Sequence, residues 1–99
     1  MRERAMTTID ATGSAAVCNA VGLHARPAVK LTQLAKAHPG PIEIATSTDG
    51  PWIDLKSPVK LMRLKAPRGA VLHVRAGGEA AEAAVAEAID FIRRGFDEP

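Results

Sequence analysis

The chain has 99 residues, 46% of them hydrophobic and only 3% aromatic. That suits one small domain whose core is packed by alanine, valine, leucine and isoleucine. A formal net charge of +2, with no run of five like charges and no aromatic interleaving of the basic residues, gives no footprint of nucleic-acid binding. No stretch of about 18 apolar residues occurs, so no membrane insertion is expected. The opening Met1-Arg2-Glu3-Arg4-Ala5-Met6-Thr7 lacks the apolar core of a signal peptide. The single cysteine, Cys18, cannot make an internal disulfide and reads as a small buried hydrophobe. A cytoplasmic protein is expected.

Residues 1–13 are polar and read as a flexible tail, with Met6 an alternative start of the reading frame. Residues 14–20 read as a first strand. Gly22 then permits a sharp turn. From Ala25 to about Ala37, Ala28, Leu31, Leu34 and Ala35 recur at helical spacing. Pro27 fits the first helical turn, where a missing N–H costs nothing. Pro39-Gly40-Pro41 stops that helix.

Ile42-Glu43-Ile44-Ala45-Thr46 alternates as a half-buried strand, Ser47 to Pro51 is turn chemistry, and Trp52 to Lys56 returns as the next strand. Ile53 and Leu55 share the core face with Ile42 and Ile44, and Trp52 points the other way. Ser57-Pro58 marks a second helix start, serine as N-cap and proline at the first helical position. Val59, Leu61, Met62 and Leu64 give about two turns, ended by Ala66 to Gly69. Residues 70–76 alternate as a fourth strand, with Leu72 and Val74 inward and His73 facing solvent. After Gly77-Gly78, a last helix runs from Glu79 to about Arg93, with Ala80, Ala83, Ala84, Val85, Ala88, Ile89 and Ile92 as its buried stripe. Gly95 caps it, and residues 96–99 read as a C-terminal tail. The order β-α-β-β-α-β-α predicts an α+β open-faced β-sandwich, a four-stranded antiparallel sheet covered on one face by three helices. The domain is bounded at residues 14–95.

The chemistry concentrates in Val21-Gly22-Leu23-His24-Ala25-Arg26-Pro27-Ala28. His24 falls at the mouth of the first helix. The partial positive charge there favours the neutral ring, whose nitrogen is a nucleophile. A phosphoryl group on that nitrogen would lie where unpaired backbone N–H groups favour an anion. Arg26, two residues on, adds charge-assisted hydrogen bonds to the same oxygens.

Gly-Leu-His-Ala-Arg-Pro-Ala resembles the active-site signature of the HPr family, the phosphocarrier proteins of the bacterial phosphotransferase system. The resemblance covers roughly residues 14–93 and implies the same element order and architecture. It implies that His24 is the catalytic histidine, phosphorylated as a pros-phosphohistidine, and that Arg26 assists it. Asn19 looks like the family's strand-end asparagine. Lys56-Ser57-Pro58-Val59-Lys60-Leu61-Met62 looks like the family's second signature. By residue chemistry Ser57 is a plain N-cap; the resemblance adds a regulatory phosphoserine made by an HPr serine kinase/phosphorylase, whose negative charge weakens docking. Pro58 departs from the larger aliphatic residue usual there, which puts recognition by such a kinase in doubt. Ala25, Pro58, Val59, Lys60 and Met62 are the implied partner-docking residues. Lys65 stands where a small residue is common, so backbone strain is expected there. Lys56, Lys60, Arg63 and Lys65, with Arg26, suggest a positive rim that steers acidic partners.

The resemblance implies a phosphocarrier, not a stand-alone enzyme. Enzyme I, charged from phosphoenolpyruvate, donates the group to His24, and an EIIA domain accepts it. No Gly-x-x-x-x-Gly-Lys-Ser/Thr loop for ATP occurs. His24, His38, His73 and Cys18 lack metal-ligand spacing, and no cofactor is implied. A monomer is expected. The alternative is a regulatory binding module of the same fold, in which phosphorylation of His24 or Ser57 controls a partner protein.

Overall fold

A computed structural model describes residues 8–98. The elements are β1 (Ala11–Ala16), α1 (Ala25–Lys36), β2 (Ile42–Ala45), β3 (Ile53–Asp54), α2 (Pro58–Met62), β4 (Val71–Ala76) and α3 (Ala81–Arg93), followed by a 3-10 turn over Gly95–Asp97. The four strands form one antiparallel sheet in the order β1-β4-β2-β3.

β4 is an interior strand because its sequence alternates cleanly. Leu72, Val74 and Ala76 are fully buried, Val71 is exposed, and His73 and Arg75 are half-buried. Its register sets Ala15 opposite Leu72, and Ile44 and Gly13 on either side of Val74. Those residues make one apolar face, over which α1 and α3 lay Ala28, Leu31, Ala35, Ala84, Ala88 and Ile92. Gly13 lets α3 sit low on β1, since a Cβ there would come within 3.0 Å of Val85 and Ile89. On the opposite face Arg75 binds the Glu43 carboxylate at 2.7 Å and stacks on Trp52 at 4.1 Å, so Trp52 does point away from the core.

Several sequence expectations are corrected. β1 begins at Ala11, inside the stretch read as a tail, and ends at Ala16 instead of Ala20. The string Ala-Thr-Gly-Ser-Ala-Ala has no large apolar residue to announce a strand; its pairing with β4 makes it one. Residues 1–7, including Met6, lie outside the described residues. Beyond β1 the alternation continues with Val17 and Asn19 inward, which leaves Cys18 exposed, its thiol 3.3 Å from the Arg93 carbonyl. The α3 stripe includes Ala81 and Phe91, whereas Ala83 is exposed and Ala80 half-buried. α2 is shorter than two turns, although Leu64 N–H still bonds Leu61 O at 3.1 Å.

The largest correction is at the C-terminal side. Residues 96–98 are not a loose tail. Phe96 is fully buried, its ring edge-on to Phe91 with centroids 5.7 Å apart. Reversal of the chain at Gly95 and Phe96, both at positive φ, turns that ring back into the core. Arg94 is paired with Asp90 and Asp97 across the same turn.

Candidate functional site

The loop between β1 and α1 is built around a close approach. Gly22 has φ +87°, and a Cβ there would stand 2.6 Å from the Ala66 carbonyl oxygen. A side chain is therefore excluded on both conformational and steric grounds. The neighbouring Leu23 is buried, and its N–H donates to the same carbonyl at 2.8 Å. Asn19, only 4% exposed, donates from Nδ2 to the Gly22 carbonyl at 2.9 Å. Its Oδ1 is buried with no hydrogen-bond partner among the described residues. Three anchors thus fix the chain immediately ahead of His24.

His24 is the N-cap of α1, in extended backbone conformation (φ −121°, ψ −166°). Its carbonyl accepts the Ala28 N–H at 3.0 Å. Among the described residues no side chain caps this helix. The first-turn amides of Ala25 and Arg26 therefore receive no side-chain acceptor, and Pro27 has no N–H to satisfy. The ring is half-buried, and the Arg26 side chain is 70% exposed. A half-buried imidazole thus stands at uncapped amides, with an exposed guanidinium two residues on.

One residue here had no signal in the sequence. Glu98, whose side chain is only 5% exposed, receives the Lys30 ammonium at 2.7 Å and lies 3.4 Å from Arg26 Nε. Lys30 also donates to the Phe96 carbonyl at 3.4 Å. The Lys30 hydrogen bond first, and then the charges of Arg26 and Lys30, hold the Glu98 carboxyl below its usual range, against the opposing effect of burial. An acid in a polar terminal tripeptide is ordinary in sequence. Only the reversal at Gly95 and Phe96 brings it some 70 positions back to α1.

The second region lies at α2, which packs on α1. Ser57 Oγ accepts the Lys60 N–H at 3.3 Å, so the serine caps the helix as its residue chemistry implied. Val59 is 56% and Met62 37% exposed, while Pro58 is half-buried and Leu61 is buried. Val21, in the loop before His24, and Val29, on α1, are likewise exposed. The basic residues behave differently from a rim around His24. Lys56 Nζ donates to the His38 carbonyl at 2.7 Å. Lys56, Lys60 and Arg63 line an open groove with Pro39, Pro41 and Trp52, and neither His24 nor Arg26 borders it. Lys65 carries a positive φ of 50°, the strain expected at that position. Of the other histidines, His38 sits 3.1 Å from Glu87, and His73 is half-buried on the open face of the sheet. Among the described residues no group of three potential metal ligands comes together, and no helix is long and apolar enough to cross a membrane.

A four-stranded antiparallel sheet with three helices on one face, and a histidine at an uncapped helix start, defines an α+β open-faced sandwich with an imidazole at the mouth of its first helix. A family model described as "PTS HPr component phosphorylation site" matches residues 11–94. The phosphocarrier protein NPr of Escherichia coli K12 is 32% identical over 82 residues, covering 83% of this chain and 90% of that protein. The phosphocarrier protein HPr of Pseudomonas aeruginosa is also 32% identical over the same shares. Among solved structures, HPr-C-His from Thermoanaerobacter tengcongensis superposes with a TM-score of 0.80 at 29% identity, covering 90% of this chain and 98% of that one. The chain belongs to the HPr family of the phosphotransferase system, whose members carry phosphoryl groups and are not stand-alone catalysts.

Proposed function

We propose that His24 is the phosphoryl acceptor of this phosphocarrier, charged on Nδ1 by a phosphohistidine of enzyme I and discharged to a histidine of an EIIA-type acceptor. The observation that carries this reading is the uncapped start of α1 with His24 as its N-cap. In the transfer, the ring nitrogen's lone pair forms the new N–P bond while the donor's N–P bond breaks, its electron pair returning to the donor ring. Little covalent work falls to this chain. It positions the ring, and it offers the Ala25 and Arg26 amides and the Arg26 guanidinium to the spreading negative charge. The exposed apolar residues Val21, Val29, Val59 and Met62 are offered to a partner, with Ala25, Pro58 and Lys60 as further docking residues.

A second reading draws on the equal likeness to relatives named NPr and HPr. In it, the phosphorylation state of His24, or of Ser57 at the head of α2, controls a partner protein. A phosphoserine at Ser57 would put a dianion beside Val59 and Met62 and oppose docking. Incubation with purified enzyme I and phosphoenolpyruvate tests the first reading. The expected result is acid-labile phosphate on the wild type and none on His24→Ala; equal labelling of both would remove His24 from the mechanism. Onward transfer to a purified EIIA domain supports the shuttle. Failure of that transfer, with phosphorylation-dependent capture of a kinase or transcription factor, supports the regulatory module.

A further inference from the structure

A groove lies apart from the surface around His24. It is bounded by the loop of residues 39–41, by β3 at the edge of the sheet, and by Lys56, Lys60 and Arg63 at α2; neither His24 nor Arg26 lines it. We propose that this groove is a docking site for an extended, acidic segment of a partner protein, separate from the face that carries the histidine. Size argues for a chain segment. The groove offers about 1330 Å³ of open space, more than the roughly 300–1,000 Å³ of a small-molecule cleft. Its walls are preformed. Gly40 packs against the Gly77 carbonyl so closely that a Cβ would clash, and the Gly77 N–H donates to the Pro41 carbonyl at 3.1 Å. Lys56 is held on the His38 carbonyl at 2.7 Å. An occupant therefore has little ordering of the groove to offset.

Charge decides the sign of the occupant. Lys56, Lys60, Arg63 and Arg75 line the groove against Glu43 and Asp54. Arg75 and Glu43 neutralise each other at 2.7 Å. Among the described residues Lys56, Lys60 and Arg63 pair with no carboxylate, and Asp54 turns Oδ1 onto the Lys56 backbone N–H at 2.9 Å. Three cations thus face one carboxylate, and acidic side chains complete the set. Trp52 serves as a wall. Arg75 covers one face of its ring at 4.1 Å, and its Nε1 donates to the Thr48 carbonyl at 3.3 Å. That leaves little of the indole for a nucleobase to stack on or bond to, which favours a peptide over a nucleic acid. Lys60 also belongs to the docking residues proposed for the His24 face. Arg63, three residues on, is the cation that tells the two surfaces apart.

The probe is a library of random dodecapeptides displayed on phage and selected on the full wild-type chain at low salt. The expected winners carry an excess of Asp and Glu over Lys and Arg. Their binding changes the emission of Trp52, the single tryptophan of the chain. It also moves the NMR amide signals of Gly40, Glu43, Asp54 and Arg63, while those of His24, Ala25 and Arg26 stay in place. Arg63→Glu weakens binding about 5- to 20-fold at low salt, and less as salt rises. Arg68→Glu, the same charge change at an exposed position off the groove, costs no more than about 2-fold. No winners, winners without an acidic excess, equal binding by Arg63→Glu, or shifts centred on His24 each overturn the inference. So does a single-stranded oligonucleotide that moves the same amides and binds more tightly than every selected peptide. None of these readouts uses phosphoryl transfer, so failure here leaves His24 as the proposed acceptor, and failure of that reading leaves the groove as it is.

Discussion

α1 and α2 begin in the same way and end up in different chemical states. Each N-cap residue is in extended conformation and each helix has a proline in its first turn. At α2, Ser57 turns its hydroxyl onto the Lys60 N–H, and the start is closed. At α1, His24 occupies the capping place and caps nothing, so the amides stay open. A capping side chain is worth about 1 kcal/mol to a helix. α1 goes without that stabilisation, and the tight loop of Asn19, Gly22 and Leu23 holds its entry in place. An anion-accepting helix start must leave its donors unspent, and a structural one need not.

The comparison is most sharply broken at Gly22. Gly22→Ala forces a Cβ to 2.6 Å from a backbone oxygen at a φ of +87°. A loss of about 2–3 kcal/mol in chemical denaturation is expected, with displacement of His24 and a matching loss of phosphoryl uptake. His24→Ser makes α1 resemble α2. It should raise stability by about 0.5–1 kcal/mol while abolishing uptake, a gain in melting temperature bought with function. A fall in stability would mean that the imidazole already does structural work. Ser57→Ala makes the reverse change at α2. It should cost about 0.5–1 kcal/mol, at the low end for a 3.3 Å hydrogen bond, and leave labelling of His24 intact.

The smallest effect concerns acid. The Glu98 carboxyl is held low by the Lys30 hydrogen bond first, and that of Asp97 by the Arg94 hydrogen bond first. A depressed carboxyl contributes stability that is present above the ordinary carboxylate range and lost as pH falls below it. Melting temperature should therefore decline on the acid side of that range, and Glu98→Gln should flatten the decline.

Much of this comparison was legible in sequence because it depends on local chemistry. Pro27 and Ser57-Pro58 mark helix starts by what proline lacks and serine offers. Asp49-Gly50 between alternating strands marks the hairpin, and β4 states its own inward and outward faces. Features that depend on distant partners were not legible. β1 contains only small or polar side chains, and its register is set by Val71–Ala76. Cys18 faces outward because the alternation passes through Val17 and Asn19, a parity that the misplaced strand end hid. Phe96 stands alone among polar neighbours, and only Phe91 across the turn makes it core. Glu98 acquired its partners by the same reversal. The motif therefore singled out His24 and Arg26 in the sequence, while the ion pair of Arg26 with Glu98 emerged only from the folded chain.

The most direct measurement is nitrogen-resolved NMR of the imidazoles before and after treatment with enzyme I and phosphoenolpyruvate. Phosphorus coupling at Nδ1 of His24, with His38 and His73 unchanged, is the predicted result. Coupling at either of those two rings, or at none of the three, would contradict the account.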